Sequence, residues 1–316
     1  MRRFLSRVLP LLLSFGLIFN CTGCSTVLVL AGKARENSEA SSSVIPESSA
    51  SSGIISTPVP TEDGDLRAFY TDVANAESVT VMVYMIGSDL ESEDGSATDD
   101  LLEMADAALS ENIHLVLQTG GTETWWNDVC TDDESERFVI ENGDMTLLQS
   151  LGSMNMTDAD TLSDFIRFSA ESYPADRYEL ILWDHGGGTM TGFGYDELYE
   201  DTSLTLSSLS TALYNGGVQF DFIGFDACLM ATAEVAYALE PYADYLIASE
   251  ESEPGEGWAY KNWLTMLAEN PAIPTAELGK KLADEDRMRY EGGQYYIKSE
   301  EEMRSLFPYA LQALEN

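Results

Sequence analysis

Three short apolar runs, each followed by polar residues, constrain the fold of this chain more than any other feature. They cover residues 178–183, 220–225 and 245–249. Runs of this length and composition are typical of buried strands. Residues 204–214 and 230–239, which lie between them, have the periodicity of amphipathic helices. This alternation predicts an α/β fold with a mainly parallel sheet, right-handed crossovers and helices packed against the sheet.

The first two runs end in residues that can carry chemistry. The first is followed by Asp184-His185-Gly186-Gly187-Gly188 and the second ends in Asp226-Ala227-Cys228-Leu229-Met230. Reactive groups collect at the carboxyl ends of parallel strands, so we expect His185 and Cys228 to face one another. A thiol beside an imidazole is the minimum apparatus for nucleophilic catalysis. The backbone N–H groups of Gly186 and Cys228 are candidates for binding an oxyanion.

Neither the cysteine nor the histidine would indicate catalysis if it stood alone. A single cysteine at a strand end is often a small buried apolar residue, and a single histidine often has only a structural role. A serine hydrolase is the poorer enzyme hypothesis, because no Gly-x-Ser-x-Gly motif occurs. A metal site is poorer still, since His114 and His185 lie on different predicted strands without the spacing of helical ligands. The pairing of His185 with Cys228 therefore favours catalysis without a metal.

The paired motifs resemble those of the clostripain family of cysteine peptidases, which shares the caspase-like fold. The likeness continues in residues 84–91, 249–251 and 254–258, and covers about residues 79–282. It implies a caspase-like, mainly parallel sheet flanked by helices on both faces. The Asn142-Gly143 pair, between two β-rich segments, is a strong hairpin signal, and we expect the hairpin to be a small decoration of the sheet.

The resemblance implies a cysteine endopeptidase in which the thiolate of Cys228 attacks a peptide carbonyl and His185 acts as acid and base. Asp226 lies on the same side of its strand as Cys228. In the family this position helps to form an acidic pocket for Arg or Lys, and Gly186 also belongs to the substrate site. The alternative for Asp226 is a carboxylate that only packs at a strand end. Further carboxylates that could add to the pocket are Glu250, Glu251, Glu253 and Glu256.

Two points limit what the resemblance implies. No third member of a catalytic triad is required, and Asp184 points to the strand face opposite to His185. No Lys or Arg lies between Arg177 and Lys261, so self-cleavage at a basic residue in that region is excluded. The runner-up hypothesis is an inactive surface lipoprotein that binds peptides or cell-wall material.

The N-terminus has the pattern of a bacterial lipoprotein signal. Residues 1–23 contain three arginines and an apolar segment that is too short to span a membrane. Small residues then precede Cys24, the expected lipidated residue, although an ordinary secretory signal is the alternative. Residues 24–72 are rich in Ser, Pro and Glu and are predicted to form a flexible tether. Residues 73–316 form the predicted peptidase domain. One interpretation is that this domain is short at its C-terminus, because family members often run longer.

Charge and cysteine content limit the partners. The formal net charge is −39, which excludes nucleic-acid binding through phosphates and favours cationic peptides. We expect a monomer with no cofactor, and the sequence leaves a calcium requirement open. The four cysteines do not form a disulfide framework, because Cys21 lies in the signal and Cys24 is the expected lipid site. A bridge between Cys130 and Cys228 would silence the predicted nucleophile.

The expected location of the protein is the outer face of the cell membrane, or the medium.

Overall fold

The structure, a computed structural model, describes the backbone of residues 27–31, 71–199, 202–253 and 255–289, and the side chains of these residues except 27–31 and 284–289. Its centre is an eight-stranded sheet with the order β1-β8-β7-β6-β2-β3-β4-β5. The strands are β1 (Val27–Ala31), β2 (Val79–Ile86), β3 (Ile113–Gly120), β4 (Glu136–Glu141), β5 (Asp144–Ser150), β6 (Arg177–Trp183), β7 (Phe220–Asp226) and β8 (Ala243–Ser249).

Five neighbouring strands, β8, β7, β6, β2 and β3, run parallel, which confirms the predicted parallel sheet. β1 pairs antiparallel with β8, and β4 pairs antiparallel with β3 and β5 at the other edge. The carboxyl ends of the five parallel strands therefore meet at one edge of the sheet. We call this the catalytic edge, defined by the residues that directly follow Ile86, Gly120, Trp183, Asp226 and Ser249.

The predicted hairpin is present between β4 and β5. Asn142 and Gly143 both have positive φ, 52° and 86°, as a two-residue type I′ turn requires. The hairpin is not a separate decoration, because β4 pairs with β3 and so lengthens the main sheet.

Helices cover both faces of the sheet, as predicted. They are α1 (Ser88–Ser92), α2 (Ser96–Ala105), α3 (Ala159–Ser172), α4 (Gly188–Thr191), α5 (Leu206–Gly216), α6 (Ala233–Leu239), α7 (Tyr260–Glu269) and α8 (Thr275–Arg289). Apolar residues of α3, α5 and α6 pack in one core with Tyr84, Leu182 and Phe225. Apolar residues of α2, α7 and α8 pack in a second core with Ile181 and Trp183. Successive side chains of a buried strand point to opposite faces of the sheet, so the same strands contribute residues to both cores.

One strand lies within the predicted tether. β1 occupies residues 27–31 and pairs with β8 from Val27↔Ser249 to Ala31↔Tyr245. This part of the tether prediction is therefore corrected: an apolar Val-Leu-Val-Leu segment covers the backbone of an edge strand. The rest of the tether, the signal and Cys24 lie outside the described residues, as does the tail from residue 290. No helix in the described part of the chain is long and apolar enough to span a bilayer.

A buried ionic cluster lies at the end of the sheet opposite to the catalytic edge. The guanidinium of Arg177 pairs with Asp221 at 2.5 Å and with Glu179 at 3.0 Å. Its Nη1 donates to the carbonyl oxygens of Pro271 and Ile273, which precede α8. Burial raises the pKa of Glu179 to about 8, with Asp221 adding to the effect. The cluster connects the start of α8 to the sheet and lies far from the catalytic edge.

Candidate active site

The register of β6 and β7 places His185 beside Cys228. Trp183 pairs with Asp226 in the parallel ladder, and His185 and Cys228 each follow by two residues. Both chains therefore leave the sheet side by side at the catalytic edge, as expected from the sequence. The His185 side chain is 44% exposed and Cys228 is half-buried, so a substrate can reach both.

The glycine after His185 lies directly against the cysteine loop. A methyl group added at Gly186 would stand 2.1 Å from the carbonyl oxygen of Cys228 and 2.9 Å from Cγ of Met230. Only glycine permits this close approach of two backbones. Within the described part of the chain, the N–H groups of Gly186 and Cys228 donate no hydrogen bond. Both N–H groups are thus available to an acceptor from outside the described residues.

The loop after β8 holds the cysteine loop in place. The N–H of Leu229 donates to the carbonyl of Glu251 at 2.9 Å, and that of Ala231 donates to Ser249 at 2.8 Å. Leu229 has a φ of 63°, an uncommon value for a residue with a branched side chain. The N–H of Glu253 donates to Sγ of Cys228 at 3.2 Å. This contact connects the sulfur of Cys228 to the loop after β8.

The two neighbours Asp184 and His185 point to different partners. His185 Nε2 lies 2.7 Å from Oδ1 of Asp89, which follows β2. Asp184 accepts a hydrogen bond from Ser88 Oγ at 2.7 Å and another from the N–H of Tyr195. Burial raises the pKa of Asp184 to about 7, against the opposing effects of His185 and these hydrogen bonds. Asp184 therefore does not orient His185, as strand alternation predicts.

Asp226 lies at the floor of the site and is 5% exposed. It accepts hydrogen bonds from the N–H of Trp258 at 3.0 Å and from the hydroxyl of Tyr260 at 2.9 Å. Burial and the negative charges of Asp226 and Asp100 raise the pKa of Tyr260, so its phenol stays protonated and donates. The carboxylate thus also anchors the segment between β8 and α7.

A second carboxylate, that of Asp100 on α2, lies close to Asp226. A methyl group added at Gly257 would stand 2.7 Å from Oδ2 of Asp100 and 3.1 Å from Oδ2 of Asp226. The indole N–H of Trp183 donates to the same Asp100 oxygen at 2.7 Å. Two buried acids from different elements therefore approach one glycine.

The other residues considered in the sequence analysis are the glutamates after β8 and Cys130. Glu250, Glu251 and Glu256 are exposed on the loop after β8, at the rim of the site. Cys130 and Cys228 are both free, so no bridge joins them. The described residues contain no group of three His, Cys, Asp or Glu side chains that could hold a metal.

Sequence reasoning missed Asp89 and Asp100. Asp89 lies in the short helix α1 and Asp100 in the middle of α2, and in such acidic segments many carboxylates are simply solvated. The position of Asp89, just after the parallel strand β2, was the one available signal.

Comparisons with known proteins agree with this geometry. A model of the clostripain family matches residues 83–307. Clostripain of Hathewaya histolytica is 29% identical over 217 residues, which cover 58% of this chain and 41% of that protein. A secreted C11 cysteine protease from Bacteroides thetaiotaomicron, solved with an irreversible peptide inhibitor, shows 25% identity and a TM-score of 0.54 over 66% of this chain and 59% of that one.

An inactive zymogen C11 protease from Parabacteroides distasonis is similar to the same extent, with 26% identity and a TM-score of 0.52 over 67% of this chain and 58% of that one. The chain thus spans less than two thirds of the length of these relatives. The family match covers well over half of the chain and includes His185, Cys228 and the strands β6, β7 and β8. The chain therefore belongs to the clostripain family.

Proposed function

We propose that this protein is a cysteine endopeptidase that hydrolyses peptide bonds with Cys228 as nucleophile and His185 as general acid and base. The observation that carries the proposal is the joint position of the two residues, each two residues beyond a paired position of β6 and β7. The close contact between Gly186 and Cys228 supports it, because both residues also keep an N–H group that donates no hydrogen bond within the described part of the chain. A protein that only binds peptides has no need of this arrangement.

The reaction follows from these groups. The Sγ thiolate of Cys228 attacks the peptide carbonyl carbon, and the carbonyl oxygen takes the negative charge. The N–H groups of Gly186 and Cys228 stabilise that oxygen. His185 donates its proton to the leaving amine, the C–N bond breaks, and a thioester remains on Cys228. His185 then takes a proton from water, whose oxygen attacks the thioester and restores the thiolate. No cofactor is needed for these steps.

The test of this proposal is labelling by a peptidyl electrophile that carries Arg before the warhead. We expect one molecule of label per chain, located on Cys228 by mass spectrometry of peptides. The same enzyme should cleave a fluorogenic peptide, and labelling should stop that cleavage. Labelling of Cys228 without any turnover over a broad peptide library would favour the peptide-binding alternative.

We further propose that the peptidase prefers Arg over Lys before the scissile bond and cleaves poorly after acidic or apolar residues. Asp226 ends β7 two residues before Cys228, and Asp100 brings a second carboxylate close to it. Like charges held in a desolvated site repel one another, so a bound cation relieves their repulsion. A guanidinium offers parallel hydrogen bonds to carboxylates, whereas an ammonium acts as a point charge. The net charge of −39 adds attraction for cationic substrates.

Asp226→Asn is expected to lower kcat/KM for Arg substrates by about 30-fold or more, since loss of a buried charged partner costs on the order of 2 kcal/mol or more. Cleavage after apolar residues should change much less. A positional-scanning peptide library read on both proteins measures this. Tyr260→Phe is the matched control, because it removes a hydrogen bond to Asp226 and keeps the charge, so the Arg preference should persist. Equal cleavage after Asp, Leu and Arg by the wild type contradicts the preference.

For location, we propose a monomer held at the outer face of the membrane through lipid on Cys24. The support is the sequence pattern of residues 1–24, and two or more acyl chains make such anchoring stable. Mass spectrometry of the mature N-terminus is expected to show an acylated cysteine at position 24. An unmodified chain that begins elsewhere contradicts the anchor and leaves a secreted enzyme.

A further inference from the structure

A carboxylate outside the His–Cys pair holds the imidazole of His185. Oδ1 of Asp89 lies 2.7 Å from Nε2 of His185, and the two side chains are 45% and 44% exposed. A carboxylate accepts hydrogen bonds and cannot donate them, so Nε2 carries the hydrogen in this contact. Nδ1 is then the ring nitrogen left for the thiol of Cys228. The contact therefore selects the tautomer as well as the orientation of the ring.

The chain fixes Asp89 from both sides. Ser88 is fully buried, has a φ of 50° and donates from its N–H to the carbonyl of Gly121 at 3.1 Å. On the other side, the buried carboxylate of Glu91 accepts hydrogen bonds from the N–H of Thr98 at 2.8 Å and of Trp126 at 2.7 Å. A non-glycine residue in the left-handed region is strained, and such strain clusters at functional sites.

The neighbouring carboxylate, that of Asp184, has other hydrogen-bond partners. Asp184 is buried and accepts from Ser88 and Tyr195, so Ser88 connects the two carboxylates that flank His185. Asp184 acts on His185 through its charge, and the ring of Tyr195 lies 6.4 Å from that of His185. Among the described residues, Asp89 is the side chain hydrogen-bonded to the imidazole.

We propose that Asp89 is a positioning residue for the peptidase reaction: it orients the imidazole of His185, places the Nε2 hydrogen and stabilises the imidazolium that protonates the leaving amine. This role rests on the proposed peptidase function. Carboxylates orient catalytic imidazoles in the same way in other enzymes. In this protein the imidazole would use Nδ1 to reach the nucleophile.

The test is Asp89→Asn, which preserves shape and removes the charge. We expect kcat to fall by about tenfold or more with KM nearly unchanged, because the loss falls on proton transfer and not on substrate binding.

Asp94→Asn is the matched control, because it removes the same charge from an exposed position five residues along the same acidic segment. Its kcat and KM should match the wild type. Asp89→Glu should restore part of kcat, because it keeps a carboxylate. An Asp89→Asn enzyme with the wild-type kcat overturns the positioning role, and so does a loss of kcat that Asp89→Glu does not reverse at all. If the wild type itself cleaves no peptide, the proposed function fails first, and the two failures are thereby distinguished.

Discussion

Cys228→Ala and His185→Ala are each expected to lower kcat/KM for peptide substrates by at least about 10³-fold, with little change in melting temperature. The first removes the atom that forms the thioester, and the second removes the group that protonates the leaving amine. Both side chains are half-buried at the ends of strands, so their loss leaves no large cavity. Steady-state kinetics with a fluorogenic peptide and thermal unfolding measure the two quantities.

The chain offers a matched control for each variant. Cys130 is the second described cysteine, buried with a pKa raised by burial to about 12, and it should not react with electrophiles. His114 is the second histidine of the chain, half-buried on β3 against the ring of Tyr173. Cys130→Ala and His114→Gln should therefore keep labelling and turnover. Wild-type turnover in Cys228→Ala or His185→Ala would show that the dyad is wrongly assigned.

The sequence predicted the parts of the fold that short-range rules govern. The strands at residues 178–183 and 220–225 are present as β6 and β7 within a residue or so, because buried parallel strands are continuous apolar runs. The turn at Asn142-Gly143 was equally predictable, since few residue pairs accept two positive φ values. Parallel pairing then placed His185 and Cys228 at one edge without any knowledge of side-chain contacts.

The electrostatic surroundings of the dyad were not predictable in the same way. The reach of Asp89 to His185 depends on the positive φ of Ser88, which no local pattern requires of a serine. Asp100 looked like an acidic residue of a first helical turn, where a carboxylate favours the helix dipole. The structure buries it against the indole N–H of Trp183, a contact between residues distant in sequence. Such contacts arise from tertiary packing and produce no periodic pattern in the sequence.

Asp226 illustrates a partial prediction. Strand alternation predicts that it lies on the same side of β7 as Cys228, where an acidic pocket is proposed. Its hydrogen bonds with Trp258 and Tyr260 give the same carboxylate an anchoring role that the sequence did not indicate. The two roles have different consequences: loss of charge changes the choice of substrate, whereas loss of anchoring affects all substrates alike. Tyr260→Phe beside Asp226→Asn separates them.

Gly186→Ala is expected to lower kcat by about 10²–10³-fold, the range for losing one oxyanion donor or misplacing a reacting group by about 1 Å. The added methyl group would stand 2.1 Å from the carbonyl oxygen of Cys228. That neighbour is backbone, so no side-chain rotation relieves the overlap and one of the two loops must move. Either movement separates the N–H of Gly186 from that of Cys228. Single-turnover kinetics measure the acylation step directly.

Gly255→Ala is the control for this prediction, because a methyl group added there meets no atom within 4 Å. It should leave kcat unchanged within a factor of about two, since changes away from packed sites have small effects. Gly186→Ala should still bind a peptide aldehyde or a substrate, although more weakly, because Asp226 and its partners lie below the displaced loop. A variant that acylates at the wild-type rate would show that the contact between the two loops is not needed for oxyanion binding. A variant with normal acylation and slow release of the acyl group would instead assign Gly186 to the second half of the reaction, where water attacks the thioester.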